Sequence, residues 1–215
     1  MTLAFVFPGQ GSQYVGMGQE LAAAVPEAAA VFEAADAALE FGLTELIASG
    51  PEDALGRTEV TQPAILTASV AAWRAYCARG GPMPAVMAGH SLGEYAALVA
   101  AGSIEFTDAV RLVRERGRLM QSAAPEGAGA MAAVLGLERD AVDRLCAEVT
   151  RGADHRVQTA NINAPGQVVI AGHAGAVAEA LEAAKAAGAR RAVALNVSVA
   201  AHSALMEPAV ATFAQ

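Results

Sequence analysis

Residues 85–95 read AVMAGHSLGEY, which is an apolar run, then a serine between two glycines, then residues that favour a helix. The apolar residues 85–88 predict a buried strand, and a helix is predicted from about Ser91 to Gly102. A strand that turns sharply into a helix is a building block of proteins with a parallel sheet and covering helices. This stretch therefore predicts an α/β fold, and the neighbouring segments agree with it.

The segments around this unit have the same character. Residues 3–7 form a short apolar run that Pro8 closes, and they predict a second buried strand. Helices are predicted at 26–39 and at about 63–79, each with a proline in its first turn. A further helix is predicted with Thr107 as its N-cap, and it contains the arginine-rich stretch RLVRERGRLM at 111–120.

The pattern changes after residue 125. Strands and helices are predicted in the order β-α-β-β-α-β, which is the ferredoxin-like order. We therefore expect an α/β main domain, residues 1–127 and 198–215, with a small inserted subdomain at 128–197. The six segments are strand 131–135, helix 138–150, strand 157–161, strand 167–171, helix 174–187 and strand 191–197.

Composition excludes several classes of function. The chain has 215 residues, 54% of them hydrophobic and 17% charged, as in a compact folded protein. Its formal net charge of −8 argues against nonspecific binding of nucleic acid, whose phosphates attract basic surfaces. The two cysteines, Cys77 and Cys146, cannot form a metal site alone, and we expect both to be buried reduced thiols of a cytoplasmic protein. No apolar run is long enough for a membrane span, so we expect no membrane association.

Gly89-His-Ser-Leu-Gly93 matches the motif G-x-S-x-G in the context that supports it, after a strand and before a helix. Glycines leave room for the sharp turn, which exposes Ser91 Oγ as a nucleophile. The amide of Leu92 would point the same way from the helix N-terminus, where it would stabilise an oxyanion. The sequence therefore predicts acyl chemistry at Ser91.

A serine nucleophile needs a base, and the chain has four histidines. His90 should point away from Ser91, while His155 and His173 lie in segments typical of exposed or structural residues. His202 lies in an apolar junction, NVSVAAHSALM, and spacing alone supports a catalytic base and a core histidine equally. No acid is in an obvious position to orient it, which favours a Ser–His dyad over a hydrolase triad.

One arginine of RLVRERGRLM lies on the wrong side of its helix. At 100° per residue, Arg111, Arg114 and Arg118 share one face, whereas Arg116 falls roughly 170° from the middle of that face, among apolar residues. A buried guanidinium needs a partner. That partner is either an internal carboxylate, with Glu94 and Glu105 as candidates, or the carboxylate of a substrate, for which Gly117 leaves space.

Several stretches together resemble the malonyl-CoA:acyl carrier protein transacylases. The resemblance covers essentially the whole chain in collinear order. It runs through FVFPGQGSQ at 5–13, GHSLGEYAAL at 89–98, RLVRERGRLMQ at 111–121, GAMAAVLGL at 129–137, NINAPGQVVIAGH at 161–173 and VSVAAHSALM at 197–206.

The resemblance implies an α/β-hydrolase-like parallel-sheet core with an inserted ferredoxin-like subdomain. It implies transfer of malonyl from malonyl-CoA to the phosphopantetheine thiol of acyl carrier protein, for fatty-acid synthesis, with no cofactor or metal. Ser91 would be the nucleophile and His202 the base. The amides of Gln10 and Leu92 would form the oxyanion hole, and Arg116 would bind the malonyl carboxylate.

The resemblance also leaves alternatives. Alanines at 200 and 201 stand where the family commonly has a proline and a small residue. The alternative is therefore a polyketide acyltransferase with another extender unit. A serine hydrolase and a noncatalytic fragment are further alternatives. Lys185, Arg190 and Arg191 are the best basic patch for carrier-protein docking, with an ordinary solvated surface as the alternative. We expect a cytoplasmic monomer.

The end of the chain departs from the family pattern. The sequence stops at Gln215, whereas this family continues to a glutamine whose backbone carbonyl orients the histidine. We therefore expect that a C-terminal part is absent, and that residues 1–215 alone are neither well folded nor fully active.

Overall fold

The structure, a computed structural model, describes residues 2–125, 127–195, 197 and 199–215. It contains helices and two sheets, one parallel and one antiparallel. This combination confirms the predicted α/β class. The residues separate into two compact units, Met1–Arg118 and Leu119–Gln215, with the boundary inside one helix. The predicted division into 1–127 with 198–215 and 128–197 stays a prediction.

The first unit is built on two parallel strands. Strand β1 (Ala4–Phe7) pairs with β2 (Val86–Gly89), and Phe7 lies opposite Gly89. Because the strands are parallel, the loops that follow them start at the same edge of the sheet. The described helices of this unit are α1 (Gln19–Ala24), α2 (Pro26–Leu39), α3 (Leu43–Ser49), α4 (Glu52–Leu55), α5 (Thr58–Ala78), α6 (Gly93–Ala100) and the first part of α7 (Phe106–Ser122).

One hydrophobic core holds the first unit together. It contains apolar residues of α2, α5, α6 and α7, among them Phe32, Leu66 and Val113. Helix α5 runs through it, with an unbroken stretch from Thr61 to Thr67 fully or almost fully buried. The predicted start of α5 at Pro63 is wrong, because the helix begins at Thr58 and Pro63 lies inside it. Its missing amide removes one helical hydrogen bond, because Pro63 lies beyond the first turn of α5, the turn in which amides have no acceptor within the helix.

The second unit follows the predicted order of elements. It contains β3 (Gly129–Leu135), α8 (Arg139–Val149), β4 (Val157–Ala164), β5 (Gln167–His173), α9 (Ala174–Ala186) and β6 (Arg191–Ala194). The strands form one antiparallel sheet in the order β4-β5-β3-β6. A short 3-10 helix (Ala204–Met206) and α10 (Glu207–Phe213) follow.

Alternation along the strands gives this sheet two apolar faces. Val134 and Ile170 pack with residues of α8 and α9 on one face. Met131 and Val169 lie on the other face, where Ala200 and Leu205 cover them. The segment that contains His202 is therefore positioned by the sheet of the second unit.

Candidate active site

Ser91 lies in the turn between β2 and α6 and has a left-handed backbone, with φ of 52°. This conformation is uncommon for a residue with a Cβ and persists only where the surrounding structure imposes it. Here the amide of His90 donates to Phe7 O at 3.0 Å, and the amide of Glu94 donates to Ser91 O at 3.1 Å. The turn is therefore held at both ends, as expected for an exposed nucleophile on a strand-to-helix turn.

The two glycines of the motif are required by close backbone contacts. A Cβ on Gly89 would overlap the backbone of Gly93 and Glu94 across the turn. A Cβ on Gly93 would overlap the carbonyl groups of Phe7 and Pro8 at the end of β1. Each glycine thus permits an approach that no other residue allows, and the turn and the end of β1 are packed into one unit.

The loop after β1 lies against the Ser91 turn. Gly9 is buried beside His90, since a Cβ there would lie 2.5 Å from His90 O and 2.8 Å from His90 Nδ1. The next residue, Gln10, donates from its side-chain amide to Thr58 Oγ1 at 3.1 Å, which ties the loop to α5. The backbone amides of Gln10 and Leu92 donate to no acceptor in the described part of the chain. Both donors remain available to a ligand.

Arg116 of α7 reaches the nucleophile. One terminal nitrogen of its guanidinium donates to Gln62 Oε1 at 2.8 Å, and the other lies 3.4 Å from Ser91 Oγ. The guanidinium also lies 5.9 Å from the centre of the Tyr95 ring. The helical wheel correctly separated Arg116 from the exposed Arg118, which pairs with Glu115 on the surface.

The internal salt bridge considered for Arg116 is not formed by the described residues. Neither Glu94 nor Glu105 has an oxygen within 4.0 Å of its guanidinium, nor does any other carboxylate in residues 2–125, 127–195, 197 and 199–215. Burial lowers the pKa of Arg116 from its ordinary value, while the nearby Tyr95 and Glu94 oppose this shift. Arginine nevertheless stays charged in proteins, so a positive charge lies beside Ser91, and its hydrogen-bond partners among the described residues are neutral.

Gly117 has a different role from the one predicted for it. The space beside it is filled by the backbone of Thr58 and Glu59, because a Cβ there would lie 2.6 Å from Thr58 O. The glycine therefore allows α7 to pack on the start of α5. It leaves no room for a substrate, but it places Arg116 next to Gln62.

The arginines of the exposed face are not simply solvated. Arg111 donates to Ala38 O at 3.2 Å and Arg114 to Leu39 O at 2.8 Å, so both bind terminal carbonyl groups of α2. Helix α2 has no basic residue in its own last turn. Arg111 and Arg114 supply positive charge at the C-terminus of α2, where the helix dipole favours cations. In addition, Thr107 is not the N-cap of α7, because the helix begins one residue earlier at Phe106.

His202 lies in the second unit and is exposed, with a left-handed φ of 58°. The residues around it are firmly anchored. Ser203 donates from its hydroxyl to Ala200 O at 2.7 Å, and the amide of Ala204 donates to Gln158 Oε1 at 3.1 Å. As with Ser91, a strained backbone in an anchored turn is typical of a functional position.

The remaining predicted residues lie on the surface of the second unit. Lys185, Arg190 and Arg191 are exposed near the end of α9 and the start of β6. Lys185 pairs with Glu182 at 2.7 Å, which offsets part of its charge. His155 contacts Glu179, and His173 is the last residue of β5. The described residues include no group of three or more His, Cys, Asp or Glu side chains suited to a metal ion.

Sequence reasoning missed Gln62. Its side chain is fully buried, as are those of Thr58 and Thr61 on the same helix. A signal for it was present, because a glutamine inside an apolar helical run needs a buried hydrogen-bond partner. The sequence could not identify that partner, which comes from another helix. No helix in the described parts of the chain is long and apolar enough to cross a membrane.

Known proteins resemble this chain closely. It is 56% identical over 206 residues to the malonyl CoA-acyl carrier protein transacylase of Salmonella typhimurium, an alignment that covers 96% of this chain and 66% of that protein. The chain thus spans just under two thirds of the length of that relative. The structure of the corresponding protein from Coxiella burnetii matches with a TM-score of 0.98 at 49% identity, covering 100% of this chain and 67% of the other.

A third match is a type II polyketide synthase carrier protein in complex with its malonyl-transacylase, with a TM-score of 0.96, 52% identity, and coverage of 100% of this chain and 69% of the other. The profile of the acyl transferase domain matches residues 4–215. That match includes the Ser91 turn, Arg116 and His202. The chain belongs to the acyl transferase domain family.

Proposed function

We propose that this chain transfers malonyl groups from malonyl-CoA to the phosphopantetheine thiol of acyl carrier protein, as a step that supplies fatty-acid synthesis. The observation that carries the proposal is the guanidinium of Arg116, 3.4 Å from Ser91 Oγ and without a carboxylate partner among the described residues. An acyl group held on Ser91 with a free carboxylate would provide that partner. Malonyl CoA-acyl carrier protein transacylases up to 56% identical to this chain support the same substrate.

In the first half of the reaction, Ser91 attacks the thioester carbonyl of malonyl-CoA and His202 accepts the serine proton. The oxygen of the tetrahedral intermediate takes the negative charge, and the amides of Gln10 and Leu92 donate to it. The C–S bond then breaks and CoA leaves as a thiol after His202 returns the proton. The product of this half is a malonyl ester on Ser91.

In the second half, the phosphopantetheine thiol of the carrier protein attacks that ester. His202 removes the thiol proton and delivers it to Ser91 Oγ as the ester bond breaks. Both halves are substitutions at a carbonyl carbon and change no oxidation state. The chemistry therefore requires no oxidant or reductant. That no cofactor or metal takes part stays a prediction.

Arg116 supplies the selectivity. A malonyl carboxylate pairs with its guanidinium in a charge-assisted hydrogen bond, whereas an acetyl group leaves the charge partly buried and unpaired. This difference favours malonyl over unsubstituted acyl groups. Methyl substituents next to the carboxylate would have to be rejected by other residues, so Arg116 does not determine the choice between extender units.

We also assign the finer fold. Two parallel strands with a serine turn between β2 and α6 support an α/β-hydrolase-like arrangement of the first unit. The β-α-β-β-α-β order and the β4-β5-β3-β6 sheet support a ferredoxin-like second unit. Docking of the carrier protein at Arg190, Arg191 and Lys185 is supported only by their exposure and charge. A cytoplasmic location and a monomeric state stay predictions.

A second pathway has a specific observation in its favour. One matching structure contains a carrier protein of a type II polyketide synthase. The same malonyl transfer in this chain would then supply polyketide synthesis. Competition between carrier proteins of the two pathways for a limiting amount of malonyl-loaded enzyme would separate these possibilities.

The test is the intact mass of the protein after incubation with malonyl-CoA. We expect one malonyl adduct, which Ser91→Ala abolishes and which added carrier protein removes. Ser103→Ala, a change at an exposed serine of the same unit, is the matched control and should load normally. Absence of an adduct on folded protein would refute the proposal, and release of free malonate without carrier protein would indicate a hydrolase.

A further inference from the structure

Gln62 is the direct neighbour that orients the Arg116 guanidinium. It lies on α5, its side chain is fully buried, and its Oε1 accepts from Arg116 at 2.8 Å. The contact joins two helices, because Gly117 allows α7 to pack on the backbone of Thr58 and Glu59. Gln62 itself lies one helical turn beyond Thr58, so this packing brings it level with Arg116.

The neighbour of Arg116 is neutral, unlike the carboxylate neighbours of Arg111 and Arg118 on the same helix. Arg111 lies 3.5 Å from Asp108, and Arg118 lies 2.6 Å from Glu115. A carboxylate in place of the Gln62 amide would satisfy the charge of Arg116 as well as its hydrogen bond. The Gln62 amide satisfies only the hydrogen bond, so it fixes the Arg116 guanidinium in place without neutralising its charge.

The contacts of Arg116 leave capacity for a ligand. A guanidinium has five N–H donors, and Gln62 and Ser91 are the acceptors among the described residues. Most of its donors therefore remain for a bound carboxylate. Burial lowers the pKa of Arg116, which reflects the cost of keeping this charge away from water, and a bound anion would relieve that cost.

We propose that Gln62 is a positioning and specificity-determining residue: its neutral amide aims the Arg116 guanidinium at the acyl group on Ser91 while reserving its charge for a carboxylate. This inference rests on the proposed function and extends it to a residue that makes no covalent contribution. It assigns the selectivity to a pair of residues on two helices.

The test compares Gln62→Glu with Gln62→Met, measuring kcat/KM for loading from malonyl-CoA and from acetyl-CoA. Gln62→Glu gives Arg116 an internal carboxylate of the same shape, and it should lower the malonyl-to-acetyl ratio by about 100-fold. Gln62→Met removes the acceptor without adding charge. It should raise the KM for malonyl-CoA and lower the ratio less, by about 10-fold.

Two controls separate the possible results. Gln167→Glu makes the same chemical change at an exposed position on β5 and should leave the ratio unchanged. Thermal unfolding of each variant reports whether the fold survives. If both Gln62 variants lower malonyl and acetyl loading equally, Gln62 is a structural residue and the inference is wrong.

The wild-type measurement keeps the two proposals apart. If wild-type protein does not prefer malonyl-CoA, the proposed function itself fails. If wild-type protein prefers malonyl-CoA and Gln62→Glu retains that preference, the function stands and the inference about Gln62 is overturned. Should Gln62→Glu fail to fold, the ratio measured for Gln62→Met decides alone, with an unchanged ratio as the contrary result.

Discussion

Gly117 of α7 lies against the carbonyl group of Thr58, the first residue of α5. A Cβ at this glycine would lie 2.6 Å from Thr58 O and 2.7 Å from the Cα of Glu59. The two helices therefore meet through backbone atoms, closer than side chains would allow. Arg116 directly precedes Gly117 on α7, so this contact determines where Arg116 points.

Gly117→Ala should force α7 away from α5. We expect a loss of about 1–3 kcal/mol in the free energy of unfolding, as for other overpacked sites, because the opposing atoms belong to the backbone and cannot rotate away. Urea unfolding measures the loss. The control is Gly42→Ala, where the nearest atom to a new Cβ is 3.8 Å away, and a comparable loss there would contradict the explanation.

Gly93→Ala should disrupt the nucleophile turn. The new methyl group would overlap the carbonyl groups of Phe7 and Pro8, so either β1 separates from the turn or Ser91 changes its backbone conformation. We expect a loss of more than about 3 kcal/mol in stability and no acyl adduct on the protein that folds.

Gly175→Ala is the matched control for that change. It lies in α9, where no atom comes closer than 3.6 Å to a new Cβ, and alanine there should stabilise the helix by about 0.5–1 kcal/mol. Normal malonyl loading by Gly93→Ala would show that the close contact with β1 is not needed to form the turn.

Local features of this protein could be predicted from its sequence. The serine turn depends on glycines two residues before and after Ser91, and the unusual position of Arg116 follows from helical periodicity alone. The order of elements in the second unit follows from alternating apolar residues. Each of these features is determined within about one helix or strand, where the sequence pattern is direct evidence.

Features that join distant segments could not be predicted in this way. The Gln62 contact of Arg116 and the binding of α2 carbonyl groups by Arg111 and Arg114 depend on how helices pack. Helical periodicity identifies the face of the helix on which a residue lies, but it does not identify the segment that packs against that face. The same limit explains the wrong prediction for Gly117. The sequence suggested that this glycine leaves space for a substrate, but the backbone of α5 fills that space.

The two cysteines should react very differently with thiol reagents. Cys77 is exposed, so the prediction that it is buried is wrong, and only the prediction for Cys146 is confirmed. Burial raises the pKa of Cys146 to about 12, with a smaller contribution from Asp143. The thiolate is the reactive form, and a raised pKa leaves roughly one part in 10⁴ of Cys146 ionised at pH 8. Iodoacetamide should therefore label one cysteine in the folded protein and two in denaturant, which the intact mass of the protein measures. Equal labelling of both cysteines in the folded protein would contradict the burial of Cys146.

Arg116→Ala should change the choice of substrate. It removes the cation that lies 3.4 Å from Ser91 Oγ, so malonyl loses a charge-assisted hydrogen bond while acetyl loses nothing. We expect kcat/KM for malonyl-CoA to fall by about 100- to 1000-fold and that for acetyl-CoA to hold or rise. Arg116→Lys keeps the charge without the two-pronged donor and should give an intermediate ratio.

Arg118→Ala is the matched control for this prediction. It removes the same side chain two residues further along α7, where the arginine is exposed and pairs with Glu115 at 2.6 Å. Exposed pairs contribute little, so its kcat/KM values for both substrates should stay within about twofold of wild type. If Arg116→Ala instead lowers malonyl and acetyl loading by the same factor, the guanidinium supports the fold of the site and does not bind the carboxylate. The selectivity must then come from residues other than Arg116 and Gln62.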